Sequence, residues 1–184
     1  FKFLLVFKAF FFTALNISNP PLAWTVIYLH FFKSLRLSIA ERAKKVNKNL
    51  KILGVTVLTS LNDRSLKEIG HINSVEKLVL KQAGLIIKSG CDGIVCSAEE
   101  AKLVRKKYKK LLIITPGIRL PGDSSNDQAR VMTPKDAFKN KVSGVVIGRS
   151  ITKGNVKNNI KKLIDHLYKW LRDLKYVVFL IRIP

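Results

Sequence analysis

Short β-branched runs alternate along this chain with stretches of helical periodicity. The runs are Lys51–Leu58 (KILGVTVL), Asp92–Cys96 (DGIVC), Leu111–Thr115 (LLIIT) and Val142–Ile147 (VSGVVI). Such runs, lacking strict apolar–polar alternation, read as strands buried on both faces, the mark of a parallel sheet. Helical patterns fill the gaps. Leu35, Ile39, Ala43 and Val46 recur at helical spacing, with Arg36, Arg42, Lys44 and Lys45 between them. Asn73, with Glu76 three positions on, predicts a capped start for a helix whose inward stripe is Val75, Leu78, Val79, Gln82 and Ile86, with Gly90 just past its end. Ser97 and Glu100 repeat the capping pattern for a helix to about Lys109, and Thr133-Pro134 with Asp136 opens another. Val156, Ile160, Leu163, Leu167, Trp170 and Leu174 line one side of a last helix. Strand–helix alternation of this kind means a parallel sheet wrapped by helices. At this level a doubly wound sheet and a (β/α)₈ barrel both remain open, although no G-x-G-x-x-G follows any strand, which counts against dinucleotide binding.

The length of 184 residues gives one domain. It falls short of the roughly 250 residues typical of a complete (β/α)₈ barrel. The formal charge of +22 raises affinity for any polyanion. The basic residues are mostly lysines spread over nearly every segment, a pattern of solvated helix faces rather than a surface that reads nucleic acid. Cys91 and Cys96 lack a second ligand pair for zinc, because His30, His71 and His166 are not nearby in sequence. They are expected to be reduced, partly buried thiols of a cytoplasmic protein, outside any disulfide framework.

The ends of the chain differ in character. Most phenylalanines lie in Phe1–Phe32, in two apolar runs divided by Asn16–Pro21. Each run is too short for a membrane span, and Pro20-Pro21 keeps them from joining as one helix. A barrel strand at Trp24–Leu29 and a membrane-associated hairpin are both open readings, with membrane attachment the less favoured. The tail Tyr176–Pro184 is apolar and strand-like with no obvious partner. Phe1 stands first and Met132 is the only methionine, so a fragment, a processed product or the product of a decayed gene is expected.

The two later runs end in a way that suggests chemistry. Leu111–Thr115 leads into Pro116-Gly117-Ile118-Arg119 and a polar loop carrying Gly122, Asp127, Gln128 and Arg130; Val142–Ile147 leads into Gly148-Arg149-Ser150. Glycine past a strand lets backbone amides approach a ligand, and arginine beside it offers a forked donor suited to phosphate. Loops after consecutive late strands are a frequent phosphate site in (β/α)₈ barrels. A phosphorylated ligand is expected there.

Five blocks carry a family resemblance. They are Val55-Thr56-Val57-Leu58-Thr59-Ser60, Asp92-Gly93-Ile94-Val95-Cys96-Ser97, Thr115-Pro116-Gly117-Ile118-Arg119, Asp127-Gln128-Ala129-Arg130 and Val146-Ile147-Gly148-Arg149-Ser150. In this order and spacing they resemble the C-terminal part of the bacterial orotidine 5′-phosphate decarboxylase family, over roughly Ala40 to Leu171. The resemblance implies a partial (β/α)₈ TIM barrel, an α/β fold whose strands correspond to about the fourth to the eighth. It implies an orotidylate-to-UMP carboxy-lyase of pyrimidine biosynthesis, working without cofactor or metal and assembling as a homodimer. Position by position, it makes Thr59 a contact to the pyrimidine portion and Arg119, Gln128, Gly148 and Arg149 the holders of the 5′-phosphate.

One departure matters. The family's Asp-x-Lys-x-x-Asp motif, which by resemblance protonates the carbon losing CO₂, falls at or before Phe1 by spacing, and Phe1–Leu50 contains no aspartate. Asp173-Leu174-Lys175 is the only Asp-x-Lys and does not complete the motif. Lys33 and Lys51 are lysines within reach of the expected pocket but without the carboxylate neighbours. The expected organisation is a divergent segment over 1–37, a partial barrel over 38–175 and an apolar tail over 176–184. The chain is expected to keep the phosphate site and to be inactive alone. Two alternatives stand beside this: a basic non-enzymatic module binding nucleic acid, and a decayed gene product without function.

Overall fold

The computed structural model describes residues 24–27, 41–123, 130–168 and 176–179. Six strands form one sheet: β1 (Trp24–Ile27), β2 (Lys51–Val55), β3 (Gly93–Val95), β4 (Leu112–Thr115), β5 (Gly144–Ile147) and β6 (Tyr176–Phe179). Their spatial order is their chain order, and every neighbouring pair is parallel. The helices are α1 (residues 41–46), α2 (Asp63–Glu68), α3 (Val75–Lys88), α4 (Ala98–Lys107), α5 (Pro134–Lys139), α6 (Arg149–Thr152) and α7 (Val156–Leu167). Strictly sequential parallel order is the winding of a barrel wall, not of a doubly wound sheet, whose order reverses at a switch point. The partial-barrel reading therefore holds.

Register separates the two faces of the sheet. Gly54, Ile94 and Ile113 lie in one cross-strand row, and Leu53, Gly93 and Leu112 in the next. The first row faces the helices: a Cβ on Gly54 would lie 2.6 Å from side-chain carbons of Ile86 in α3. On this side Ile52, Val79, Ile86, Ile94, Val104, Ile113, Val145 and Ile147 belong to one buried cluster. Helix α3 packs against α4, α4 against α5, and α5 against α7, so the helices form a continuous outer layer. The second row faces away from that layer. A Cβ on Gly93 would lie 2.4 Å from the Leu112 carbonyl oxygen and 2.8 Å from Leu53 Cδ2, so only glycine fits there.

Local signals account for most helix boundaries. Thr133 caps α5, its hydroxyl accepting from the Asp136 amide, with Pro134 in the first turn. The α3 cap is Ser74 rather than the expected Asn73, and its hydroxyl accepts from Lys77 N–H. Buried positions of α3 are Val75, Leu78, Val79, Ala83 and Ile86, with Gln82 at the margin of that stripe. In α1, Val46 is 90% exposed and lies outside the core, contrary to its place in the expected stripe. In α7, Leu163 and Leu167 are buried while Val156 is exposed; Trp170 and Leu174 lie outside the described residues.

The opposite end of the sheet is tied by charge. Arg105 of α4 donates to the carbonyls of Lys109, Leu111 and Lys141 and to Ser143 Oγ, which also accepts from Ile113 N–H. Asp92 accepts from Ile52 N–H at 2.9 Å and pairs with Lys44 and Lys51. Of the readings open for the N-terminal segment, the strand is present at Trp24–Ile27, paired with β2. The tail does have a partner: Tyr176–Phe179 adds to β5 in parallel register. Among the described residues, no helix is long and apolar enough to cross a membrane.

Candidate functional site

In a parallel sheet the loops that follow the strands gather at one end. Here those after β2, β4 and β5 are joined by specific contacts. Beyond β4, Gly117 takes a φ of +78°, a left-handed conformation that favours glycine. Two backbone bonds then tie this strand end to Met132: Arg119 N–H donates to the Met132 carbonyl and Met132 N–H to the Gly117 carbonyl, both at 3.1 Å. Thr59, four residues past β2, packs on this loop. A Cβ on Gly117 would lie 3.3 Å from Thr59 Cγ2 and 2.9 Å from the Arg130 carbonyl oxygen. Arg130 N–H donates to the Thr59 carbonyl at 3.2 Å.

The turn after β5 reaches the same loop. Gly148 caps α6, its carbonyl accepting from the amides of Ile151 and Thr152, and a Cβ there would meet open space. Two residues on, Ser150 Oγ accepts from Leu120 N–H at 3.3 Å in a buried bond. Arg119 and Arg149 thus each precede one member of a hydrogen-bonded pair. Their environments differ: Arg119 is 7% exposed with Nη1 donating to the Ile118 carbonyl, whereas Arg149 is exposed. Thr59 is buried and Gly148 half-buried. Gln128 lies outside the described residues.

Two features were not assigned from the sequence. Glu100 sits at the capping position of α4, but its carboxylate is buried in an ion pair with Arg130, while Ser97 Oγ accepts from Glu99 N–H instead. Arg130 Nη2 also donates to the Leu58 carbonyl at 2.9 Å. Burial pushes the Glu100 carboxyl above its usual range, further than the adjacent guanidinium draws it back. Ser150 is the second, a small residue whose hydroxyl carries the link between loops. The only signals for these were the capping spacing of Glu100 and the presence of Arg130 and Ser150 in the quoted blocks.

Lys51 lies at the other end of the sheet. As the first residue of β2 it pairs with Asp92 at 3.4 Å, so the expected approach to the pocket is not what the fold provides. Strand direction alone separates it from Thr59. Cys91 and Cys96 are buried and unbridged.

Comparisons with known proteins agree with this architecture. The sequence profile described as "Orotidine 5'-phosphate decarboxylase / HUMPS family" matches residues 28–163, reaching further toward the N-terminus than the five blocks do. An orotidine 5'-phosphate decarboxylase of Buchnera aphidicola is 45% identical over 132 residues, covering 71% of this chain and 55% of that protein. One from Coxiella burnetii is 47% identical over 102 residues, 55% of this chain and 43% of that protein. The chain spans about half the length of the curated relatives it matches. A crystal structure of orotidine 5'-phosphate decarboxylase from Lactobacillus acidophilus matches with a TM-score of 0.55 at 24% identity, covering 76% of this chain and 74% of that one. At that identity the likeness speaks for the fold.

Proposed function

Because the chain belongs to the orotidine 5'-phosphate decarboxylase / HUMPS family, we propose that the loops after β2, β4 and β5 bind a pyrimidine nucleotide of the orotidylate/UMP type. In this reading Arg119, Gln128, the Gly148 amide and Arg149 hold the 5′-phosphate and Thr59 contacts the pyrimidine. The observation that carries it is the buried Leu120–Ser150 hydrogen bond, which holds the Arg119 loop beside the Gly148-Arg149 turn. Arginine's forked donors suit a phosphate dianion, and a glycine without neighbours around its missing Cβ leaves its backbone open to one. The buried cysteines, not joined by a disulfide, support a reducing, cytoplasmic setting, and a homodimer belongs to the same reading.

The proposal stops short of turnover. A phosphate grip supplies remote binding energy, which accelerates a reaction only when it acts on a reacting centre. The Asp-x-Lys-x-x-Asp motif that the resemblance implies is absent from these 184 residues. Two identical chains cannot complete each other's motif, so decarboxylation requires those residues from other sequence. UMP titration tests the binding half: the chain is expected to bind UMP, and Arg149→Ala to weaken that binding at least tenfold, on the scale of about 1.4 kcal/mol for a charge-assisted contact. Failure of UMP to bind, with a random oligonucleotide bound in a steeply salt-dependent manner and indifferent to Arg149→Ala, favours the basic nucleic-acid module instead. Orotidylate turnover by the chain alone, above the buffer rate and lost in Arg149→Ala, refutes the inactivity.

A further inference from the structure

Arg130 is a buried cation serving three segments of chain at once. Its Nη1 pairs with Glu100 in the first turn of α4, and its Nη2 donates to the Leu58 carbonyl at 2.9 Å in the loop after β2. Its backbone N–H donates to the Thr59 carbonyl, and its own carbonyl lies against Gly117. The Arg130 side chain is 7% exposed and the Glu100 side chain 3%. A buried ion pair is weak evidence of added stability, because desolvation of both charges offsets their attraction. Geometry is what it fixes well: a planar fork can hold two acceptors in set directions, which a lysine ammonium on a flexible stem does not. Here the two acceptors are Glu100, anchored in the first turn of α4 in the outer helical layer, and Leu58, the residue preceding Thr59.

We propose that Arg130 is a positioning residue for the nucleotide base, holding the Leu58–Thr59 backbone against α4 so that Thr59 stays in place beside the pyrimidine. The inference rests on the nucleotide-binding reading and deepens it by separating two contributions. The Arg130 side chain acts on the Thr59 side of the site. The link between the Arg119 and Arg149 segments is made by Leu120 and Ser150, without the Arg130 side chain. Loss of the fork therefore reaches the base contact, while the Arg119 and Arg149 contacts to phosphate keep the Leu120–Ser150 link.

Calorimetric titration of the full chain with UMP and, separately, with inorganic phosphate distinguishes these effects. In Arg130→Lys, UMP is expected to bind about tenfold more weakly, as for one lost hydrogen bond at the base, while phosphate affinity is unchanged. The ratio of the two affinities is the decisive quantity. A variant that is only partly folded lowers both apparent affinities by the same factor, so a merely structural role leaves the ratio alone. If Arg130→Lys does not fold, the double variant Glu100→Gln/Arg130→Gln removes both buried charges and is expected to show the same change in ratio. An unchanged ratio in a folded variant overturns the proposal, and so does failure of both variants to fold, which marks the pair as structural only. Wild-type chain that binds neither UMP nor phosphate removes the underlying reading instead. Wild-type chain that binds UMP no more tightly than phosphate leaves Thr59 without a role, and the positioning of Thr59 with it.

Discussion

The Leu120 amide donates to the Ser150 hydroxyl across 3.3 Å, joining the loop that follows β4 to the turn that follows β5. Both residues are buried, so neither group has water as a ready substitute. The bond spans 30 residues of sequence and fixes the spacing of two segments that each carry an arginine.

Ser150→Ala leaves the Leu120 N–H buried without that acceptor. An unpaired buried donor costs about 1–3 kcal/mol, so denaturant unfolding is expected to show a lower midpoint with little change in slope. UMP affinity falls with it if the two loops form one site. A midpoint equal to that of the wild type would show that the hydroxyl is dispensable.

Gly54→Ala tests the seat of α3 on β2. The added methyl would lie 2.6 Å from Ile86 Cγ1 and Cγ2, and Ile86 is 2% exposed with little room to retreat. Overpacking of this kind costs about 1–3 kcal/mol. Pairing the change with Ile86→Ala provides space, and a thermal melt of the double variant is expected to lose less than the sum of the two single losses.

Asp92 gives a pH signature. Burial pushes its carboxyl up, but the Ile52 amide and the ammonium groups of Lys44 and Lys51 outweigh this and hold it below the ordinary 3.8. A carboxyl whose folded-state pKa lies below its unfolded value binds protons more weakly when folded. Its contribution is therefore complete above the unfolded value and is lost as the pH falls through the folded one. Between pH 7 and pH 5 the Asp92 contribution should stay flat, and below about 4 it should fall. Asp92→Asn is expected to lack that acid-sensitive component, so the stability difference between the two proteins should be constant from pH 7 to pH 5 and shrink below about 4, which urea titrations at each pH would measure.

Cys96 is expected to resist modification. Burial, followed by the nearby Glu100 carboxylate, pushes its thiol well above the usual range, and Arg130 and Arg105 only partly counter this. The thiolate is the reactive form, so alkylation at pH 8 should be slow in the native chain and rapid in guanidinium. Mass spectrometry of Cys96 peptides would check it; fast native labelling would contradict the packing around α4.

The strands were legible because their apolar β-branched runs are local signals, and their parallel arrangement followed from the helices between them. Their lengths were less so. The run Lys51–Leu58 ends as a strand at Val55, and Thr56 turns its hydroxyl onto the Val95 carbonyl. Helix α2 was not anticipated. It is six residues long, too short for an apolar period to stand out, although Asn62 does cap it by accepting from Ser65 N–H. Pairing of the tail with β5 is nonlocal and leaves no trace in composition. The same holds for Arg130 and Glu100, whose partnership depends on two loops meeting; in sequence Glu100 fits a capping box equally well. Glycine–arginine endings of the last two runs were visible, but the serine that couples them was not, because one hydroxyl has no pattern of its own.

Strict agreement between chain order and spatial order has a kinetic side. Each strand pairs with the one before it, so Gly93–Val95 needs only the helix α4 to be crossed before it meets Leu112–Ile114. Closure entropy grows with loop length, so this crossover, 19 residues from Ile94 to Ile113, closes at less cost than those of 27 to 40 residues between the other strand pairs. A chain emerging vectorially could then add one strand–helix unit at a time to a growing edge, without waiting for distant sequence to return. Pulse-labelled amide exchange during refolding is expected to find Cys96 and Leu112, whose amides donate to the Ile114 and Asp92 carbonyls within the β3–α4–β4 unit, protected ahead of Ser143, whose amide donates to Ile113 from the next unit.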